Sequence, residues 1–143
     1  MTSMIEPAAE SICVLDDDPS VLKSIARLLT CEGFAVRAFS EPKNFLAYLQ
    51  EHSVPLVILD IWMEAMDGLE IQTKISKISA QTRVIIITGN IDPVTKNAAL
   101  NAGAIAFFIK PFDDEEFLTA VRSAVTRIQD IRERDAPDGA SES

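Results

Sequence analysis

Short apolar runs that end on charged or hydroxyl residues recur along this chain. Ile12–Leu15 precedes Asp16-Asp17-Asp18, Val57–Leu59 precedes Asp60, Val84–Ile87 precedes Thr88, and Phe107–Ile109 precedes Lys110-Pro111. Continuous rather than alternating runs of this length predict strands buried on both faces. Between them the apolar period lengthens. Leu22, Ile25, Ala26 and Leu29 recur at helical spacing, opened by Asp18 as a cap with Pro19 at the first helical position and stopped by Gly33.

The remaining elements follow in the same way. Phe34–Phe39 is a short strand and Glu41–Gln50 a helix introduced by Pro42. Val54–Asp60 is the most apolar strand, which predicts a central position. After Asp67-Gly68 a helix carries Leu69, Ile71, Ile75 and Ile78; Arg83–Thr88 is the fourth strand; residues 92–102 form a short helix with little apolar face. Ile105–Ile109 is the fifth strand. The last helix opens on four acids over Asp113–Glu116, at its positive dipole end, and runs to Arg132. Its stripe Phe117, Val121, Ala124, Ile128 and Ile131 is expected to pack on the sheet, with the final turn available to a partner. Residues 1–10 read as a flexible leader, 11–132 as one domain, and 133–143 as a disordered tail. Strict βα alternation through five repeats predicts an α/β protein with a single doubly wound, five-stranded parallel sheet.

Composition narrows the function without choosing it. At 143 residues and 48% hydrophobic, the chain can bury a core unaided. A formal charge of −9 argues against non-specific binding to nucleic acid or an anionic membrane. The start has no basic n-region and no apolar h-region, and Asp60 interrupts the longest apolar stretch, so a cytoplasmic location is expected. Cys13 and Cys31 are read as inert buried thiols, and His52 as a solvated loop residue.

The strand ends carry the chemistry. In an open parallel sheet they converge at one rim, where ligands bind. Carboxylates alone would repel an anionic phosphoryl donor. Mg²⁺ reverses that, because it accepts one or two carboxylates, keeps several waters and takes phosphate oxygens. One carboxylate then serves as nucleophile, while a lysine and a hydroxyl bind the remaining phosphoryl oxygens.

Residues 11–130 resemble the receiver domain of bacterial response regulators, through CVLDDDPSVL (13–22), LVILDIWMEAMDGLE (56–70), VIIITGN (84–90) and AGAIAFFIKPF (102–112). The resemblance implies a flavodoxin-like fold with strand order 2-1-3-4-5. It makes Asp60 the phosphoacceptor, attacking the phosphohistidine of a sensor histidine kinase or histidine phosphotransfer protein. It places Asp17 directly on Mg²⁺, Asp16 through water, and the Trp62 backbone carbonyl as the third protein ligand. Lys110 would pair with Asp60 before reaction and with the phosphoryl group afterwards. Thr88 would swing toward the new phosphoryl oxygen, and Phe107 would fill the space it leaves. A cis bond is implied before Pro111.

Each residue also has a plainer reading. Asp18 is assigned to the helix cap, Thr88 alone would merely end a strand, and Phe107 alone would be a core aromatic. The loop Met63-Glu64-Ala65-Met66-Asp67-Gly68 departs from the family's Met-Pro-Gly-Met-Asp-Gly, adding a charge at Glu64. Trp62 and Asn90 fall at positions that tune dephosphorylation in the family.

The function expected is a non-enzymatic, phosphorylation-controlled switch whose output is a protein contact, such as homodimerisation through helix 4, strand 5 and helix 5. No contact with nucleic acid or membrane is expected of this chain. One alternative is the receiver part of a longer DNA-binding regulator; another is a phosphorylation-independent interaction module. An aspartate-nucleophile phosphatase would want an acid where Trp62 stands. A flavin-binding protein would want a Ser/Thr/Gly phosphate loop in place of the three aspartates.

Overall fold

A computed structural model of the chain describes residues 11–63, 67–89 and 92–135, with side chains as far as 125. Glu64, Ala65, Met66, Asn90 and Ile91, residues 1–10 and those from 136 on lie outside the described residues. So do the side chains of Ile128 and Ile131.

The elements are β1 (Ile12–Leu15), α1 (Pro19–Cys31), β2 (Val36–Phe39), α2 (Pro42–Glu51), β3 (Leu56–Asp60), α3 (Gly68–Ile78), β4 (Arg83–Thr88), α4 (Pro93–Asn101), β5 (Ala106–Ile109) and α5 (Asp114–Asp135). The strands form one parallel sheet in the order β2-β1-β3-β4-β5. This is the doubly wound flavodoxin-like order 2-1-3-4-5. β3 is central, and all five of its residues are buried.

Alternation along each strand divides the core. Cys13, Leu15, Val57, Leu59, Val84 and Ile86 join Phe45 and Leu49 of α2, Ile71 and Ile75 of α3, and Ala99 of α4 in one cluster. The intervening residues Ile12, Val14, Leu56, Ile58, Ile85 and Ile87 point the other way and are also buried. Burial on both faces is why the strands read as unbroken apolar runs.

Local chemistry sets the helix ends. Asp18 accepts from the Ser20 N–H at 2.9 Å and caps α1, with Pro19 behind it. Asp67 and Asp92 do the same for α3 and α4 through Leu69 and Val94. Gly33 and Gly103 follow α1 and α4 at φ of +93° and +109°, a region side chains with a Cβ rarely adopt.

Gly68 has a different reason for being glycine. A Cβ there would stand 2.5 Å from the Ile61 Cα and 2.7 Å from its carbonyl oxygen. α3 therefore starts in direct contact with the backbone that leaves β3.

The residues from Phe112 on form a second compact unit. In it Phe112 and Phe117 stack at 4.8 Å, Asp113 accepts from the Glu116 N–H, and Phe117, Leu118, Val121 and Ala124 are buried.

One minor expectation is corrected. Cys31 is exposed at the end of α1, while Cys13 is buried, and burial pushes its thiol up to about 12. His52 is exposed, in line with the solvated position expected; its ring also stacks on Tyr48 at 3.9 Å, and Nδ1 lies 3.1 Å from the Tyr48 carbonyl.

Candidate functional site

β1, β3 and β4 all finish at the same rim, so the residues that end them are brought together by the sheet itself. Asp16 immediately follows β1 and is fully buried; Asp17 is exposed; Asp60 closes β3 with 4% of its surface exposed. Carboxylate oxygens of Asp16, Asp17 and Asp60 all lie within 4.8 Å of one another. Ionised carboxylates this close repel by roughly 3 kcal/mol per pair at an effective dielectric constant of about 20. Only a compensating positive charge makes the arrangement stable when all are charged.

Lys110 supplies part of that charge from the end of β5. Its ammonium donates to Asp16 Oδ2 at 2.9 Å and lies 3.8 Å from Asp60 Oδ2. The resemblance pairs this lysine with Asp60; the shorter contact here is to Asp16. The more deeply buried carboxylate has the greater need of a partner, because it has lost more of its hydration. Asp16 Oδ1 in turn accepts from the Asp18 N–H at 2.9 Å, so both of its oxygens are engaged. The Lys110 N–H donates to the Thr88 carbonyl at 2.7 Å, and the Lys110–Pro111 peptide bond is cis.

Asp60 is held from its own strand end. Asp60 Oδ1 accepts from the Trp62 N–H at 3.1 Å, and the Ile61 N–H donates to the Ile87 carbonyl of β4. Burial pushes the Asp60 carboxyl up to about 6 from an ordinary 3.8. The Trp62 N–H pulls against that rise; the Asp16 charge adds to it, and Lys110 offsets it. At neutral pH the group is mostly ionised, with its oxygens largely shielded from water. Trp62 itself is 48% exposed beside it.

Thr88 is fully buried at the end of β4. The register pairs Ile86 with Phe107 and Thr88 with Ile109. Thr88 and Phe107 therefore share one face of the sheet as diagonal neighbours on adjacent strands. Phe107 is half-buried, with the Lys96 ammonium of α4 5.6 Å from its ring centroid.

The donor set suits Mg²⁺. Three hard carboxylate oxygens converge, no cysteine or histidine joins them among the described residues, and one ammonium leaves the cluster under-compensated.

Gln72 went unnoticed in the sequence. It lies on the buried stripe of α3 with Gly68, Ile71 and Ile75, and a polar residue on that stripe was the available signal.

A parallel sheet that gathers three carboxylates and a lysine at the carboxyl ends of its strands defines an α/β protein with a metal-ready acidic rim. The chain belongs to the response regulator receiver domain family, which it matches over residues 12–122. It is 37% identical over 117 residues to the response regulator protein TodT of Pseudomonas putida, covering 82% of this chain and 52% of that protein. It is 32% identical over 114 residues to the transcriptional regulatory protein FixJ of Rhizobium meliloti, covering 80% and 56%.

Among solved structures it is similar to a CheY-like receiver domain protein from Methanospirillum hungatei, with a TM-score of 0.81 and 26% identity over 86% of this chain and 98% of that one. The BeF3-activated receiver domain of DrrB gives a TM-score of 0.75 and 29% identity over 83% and 99%. The chain spans about half the length of the curated relatives it matches. One of those relatives is named a transcriptional regulatory protein, so the comparisons lend no support to the expectation that this chain makes no contact with nucleic acid. Among the described residues, no helix is long and apolar enough to cross a membrane.

Proposed function

We propose that this chain works in the cytoplasm and accepts a phosphoryl group on Asp60 from the phosphohistidine of a sensor histidine kinase or histidine phosphotransfer protein, as a signalling switch. The observation that carries the proposal is the convergence of Asp16, Asp17 and Asp60 within 4.8 Å, with Lys110 at 2.9 and 3.8 Å from two of them. The receiving unit is assigned to residues 11–132.

An Asp60 carboxylate oxygen forms the new P–O bond as the donor's P–N bond breaks. The bonding pair returns to the imidazole nitrogen, which leaves as neutral imidazole when its other nitrogen carries the proton. Asp16, Asp17, Asp60 and the Trp62 carbonyl are the groups that would hold Mg²⁺, with Asp16 acting through water. The ion would neutralise the carboxylates and draw charge from the phosphoryl oxygens. Lys110 is already within 3.8 Å of Asp60 and meets the phosphoryl group with little movement. Thr88 and Phe107 act as a coupled pair, the hydroxyl turning toward the phosphoryl group and the ring following; their shared face and adjacent strands support this. The output is assigned to α4, β5 and α5, contacted by a partner or a second copy. A beryllofluoride-activated NtrC4 receiver domain, 30% identical to this chain, is described as a dimer.

Intact mass after incubation with acetyl phosphate and Mg²⁺ tests the proposal. A single labile phosphoryl adduct is expected, and it should be absent from Asp60→Asn and from metal-free samples. A folded protein with no adduct under any condition would overturn it, in favour of a phosphorylation-independent interaction module. A second reading makes the receiver the input half of a longer DNA-binding regulator. It is favoured by relatives that extend to about twice the matched span and include a transcriptional regulator.

A further inference from the structure

α4 is fastened unevenly. Of its residues only Ala99, in the last turn, is buried, and Val94 near the start is 77% exposed. A cavity of about 330 Å³ is lined by Asp92, Pro93, Lys96 and Asn97 at the start of the helix and by Phe107 and Ile109 of β5.

At the opposite end of the helix a buried amide holds the backbone. Gln72 of α3, 3% exposed, donates from Nε2 to the Ala99 carbonyl at 2.9 Å. That carbonyl also accepts from the Ala104 N–H at 3.1 Å, across the turn made by Gly103. The amide is used on one side only: among the described residues, Gln72 Oε1 has no hydrogen-bond partner.

We infer that Gln72 is the positioning residue about which α4 pivots, its C-terminal turn pinned to α3 while its N-terminal turns lift over the cavity beside Phe107. A buried side chain with an unsatisfied oxygen contributes little net stability, because the desolvation of the oxygen offsets the bond made by the nitrogen. Its consequence is local. The Gln72 hydrogen bond ties to α3 the end of a short helix that has no buried side chain before Ala99. A small movement at the pin becomes a larger one at Asp92 and Lys96, which line the cavity against the Phe107 ring. This inference stands on α3–α4 geometry and does not need Asp60 to be phosphorylated.

Amide-resolved hydrogen exchange on the full chain tests it. In the unsubstituted protein, the amides of Ala102, Gly103 and Ala104 should be at least about tenfold better protected than those of residues 96–98. Gln72→Met keeps the length and removes both the bond and the orphaned oxygen. It should leave the urea midpoint and the β4 amides unchanged while protection at 102–104 falls about tenfold, toward the level of 96–98. A merely structural glutamine would lower β4 and α4 together. Even protection along α4 in the unsubstituted chain overturns the pivot without any variant. Equal loss across β4 and α4 in Gln72→Met, or no loss at 102–104, overturns it as well.

Discussion

Replacing Gly68 by alanine sets two opposed effects against each other, and the structure decides between them. On helix propensity alone the substitution at the start of α3 is favourable, by up to about 1 kcal/mol. The new Cβ, however, would stand 2.5 Å from the Ile61 Cα, 2.6 Å from its Cγ1 and 2.7 Å from its carbonyl oxygen. Ordinary carbon contacts lie near 3.5–4.0 Å, so the shortfall is about 1 Å against three atoms, two of them backbone.

Ile61 cannot simply step aside. Its N–H is bonded to the Ile87 carbonyl, and its own carbonyl accepts from the Gly68 N–H at 3.2 Å. Relief requires α3 to move outward or β3 to bend at the residue after Asp60. Overpacking of this kind costs roughly 1–3 kcal/mol, and stretching the Gly68–Ile61 hydrogen bond adds about 1 kcal/mol. A net loss of about 1–3 kcal/mol is expected after the helix gain.

Urea unfolding followed by circular dichroism, with the slope held common to both proteins, measures that loss. Acetyl phosphate labelling of the same sample should slow as well, since Asp60 is bonded to Ile61 and takes its backbone hydrogen bond from Trp62. A Gly68→Ala protein as stable as the unsubstituted one would refute the close approach and leave Gly68 as an ordinary helix start.

Three further outcomes follow from the site. The Asp60 carboxyl sits at about 6 in the folded protein against 3.8 ordinarily, so the native state binds the proton more tightly; the stability this brings is present below about pH 4 and lost as pH rises through 6. Asp60→Asn should therefore equal the unsubstituted protein near pH 4 and exceed it by about 2 kcal/mol at pH 7 in metal-free buffer, and equal denaturation midpoints at pH 7 would contradict this. Mg²⁺ at one hundred times its dissociation constant should stabilise the folded protein by about 2.7 kcal/mol, read as a rise in thermal midpoint that shrinks in Asp17→Asn; no rise at millimolar Mg²⁺ would count against the metal site. Trp62→Ala should lose its phosphoryl group several-fold faster if the half-exposed indole hinders attacking water, and an unchanged half-life by intact mass would remove that role.

Much of the site was legible because β-sheet geometry is a rule of connectivity. Once Ile12–Leu15, Val57–Leu59 and Val84–Ile87 read as parallel buried strands, their terminal residues had to meet at one rim, whatever the side-chain details. Identity at those ends, with three aspartates, a threonine and a lysine, then named the chemistry. Caps were legible too, since Asp18 and Pro19 act on the backbone within a turn of themselves.

Three features depended on contacts distant in sequence. The choice of Asp16 over Asp60 as the shorter partner of Lys110 depends on relative burial, which the order of residues does not encode. Gly68 looked like a turn glycine, but its necessity comes from Ile61, seven residues back and packed against it only after β3 and α3 close together. Gln72 broke an apolar stripe, yet its partner at Ala99 lies 27 residues away and is a backbone carbonyl, invisible to any pattern of side chains. The sequence by itself determined which elements form, their order and which chemistry collects at the strand ends, because those follow from periodicity and local hydrogen bonding. Tertiary structure alone decided which charge pairs with which, where a Cβ has no room and which end of α4 is held, because each is settled by distances between segments that only packing brings within reach.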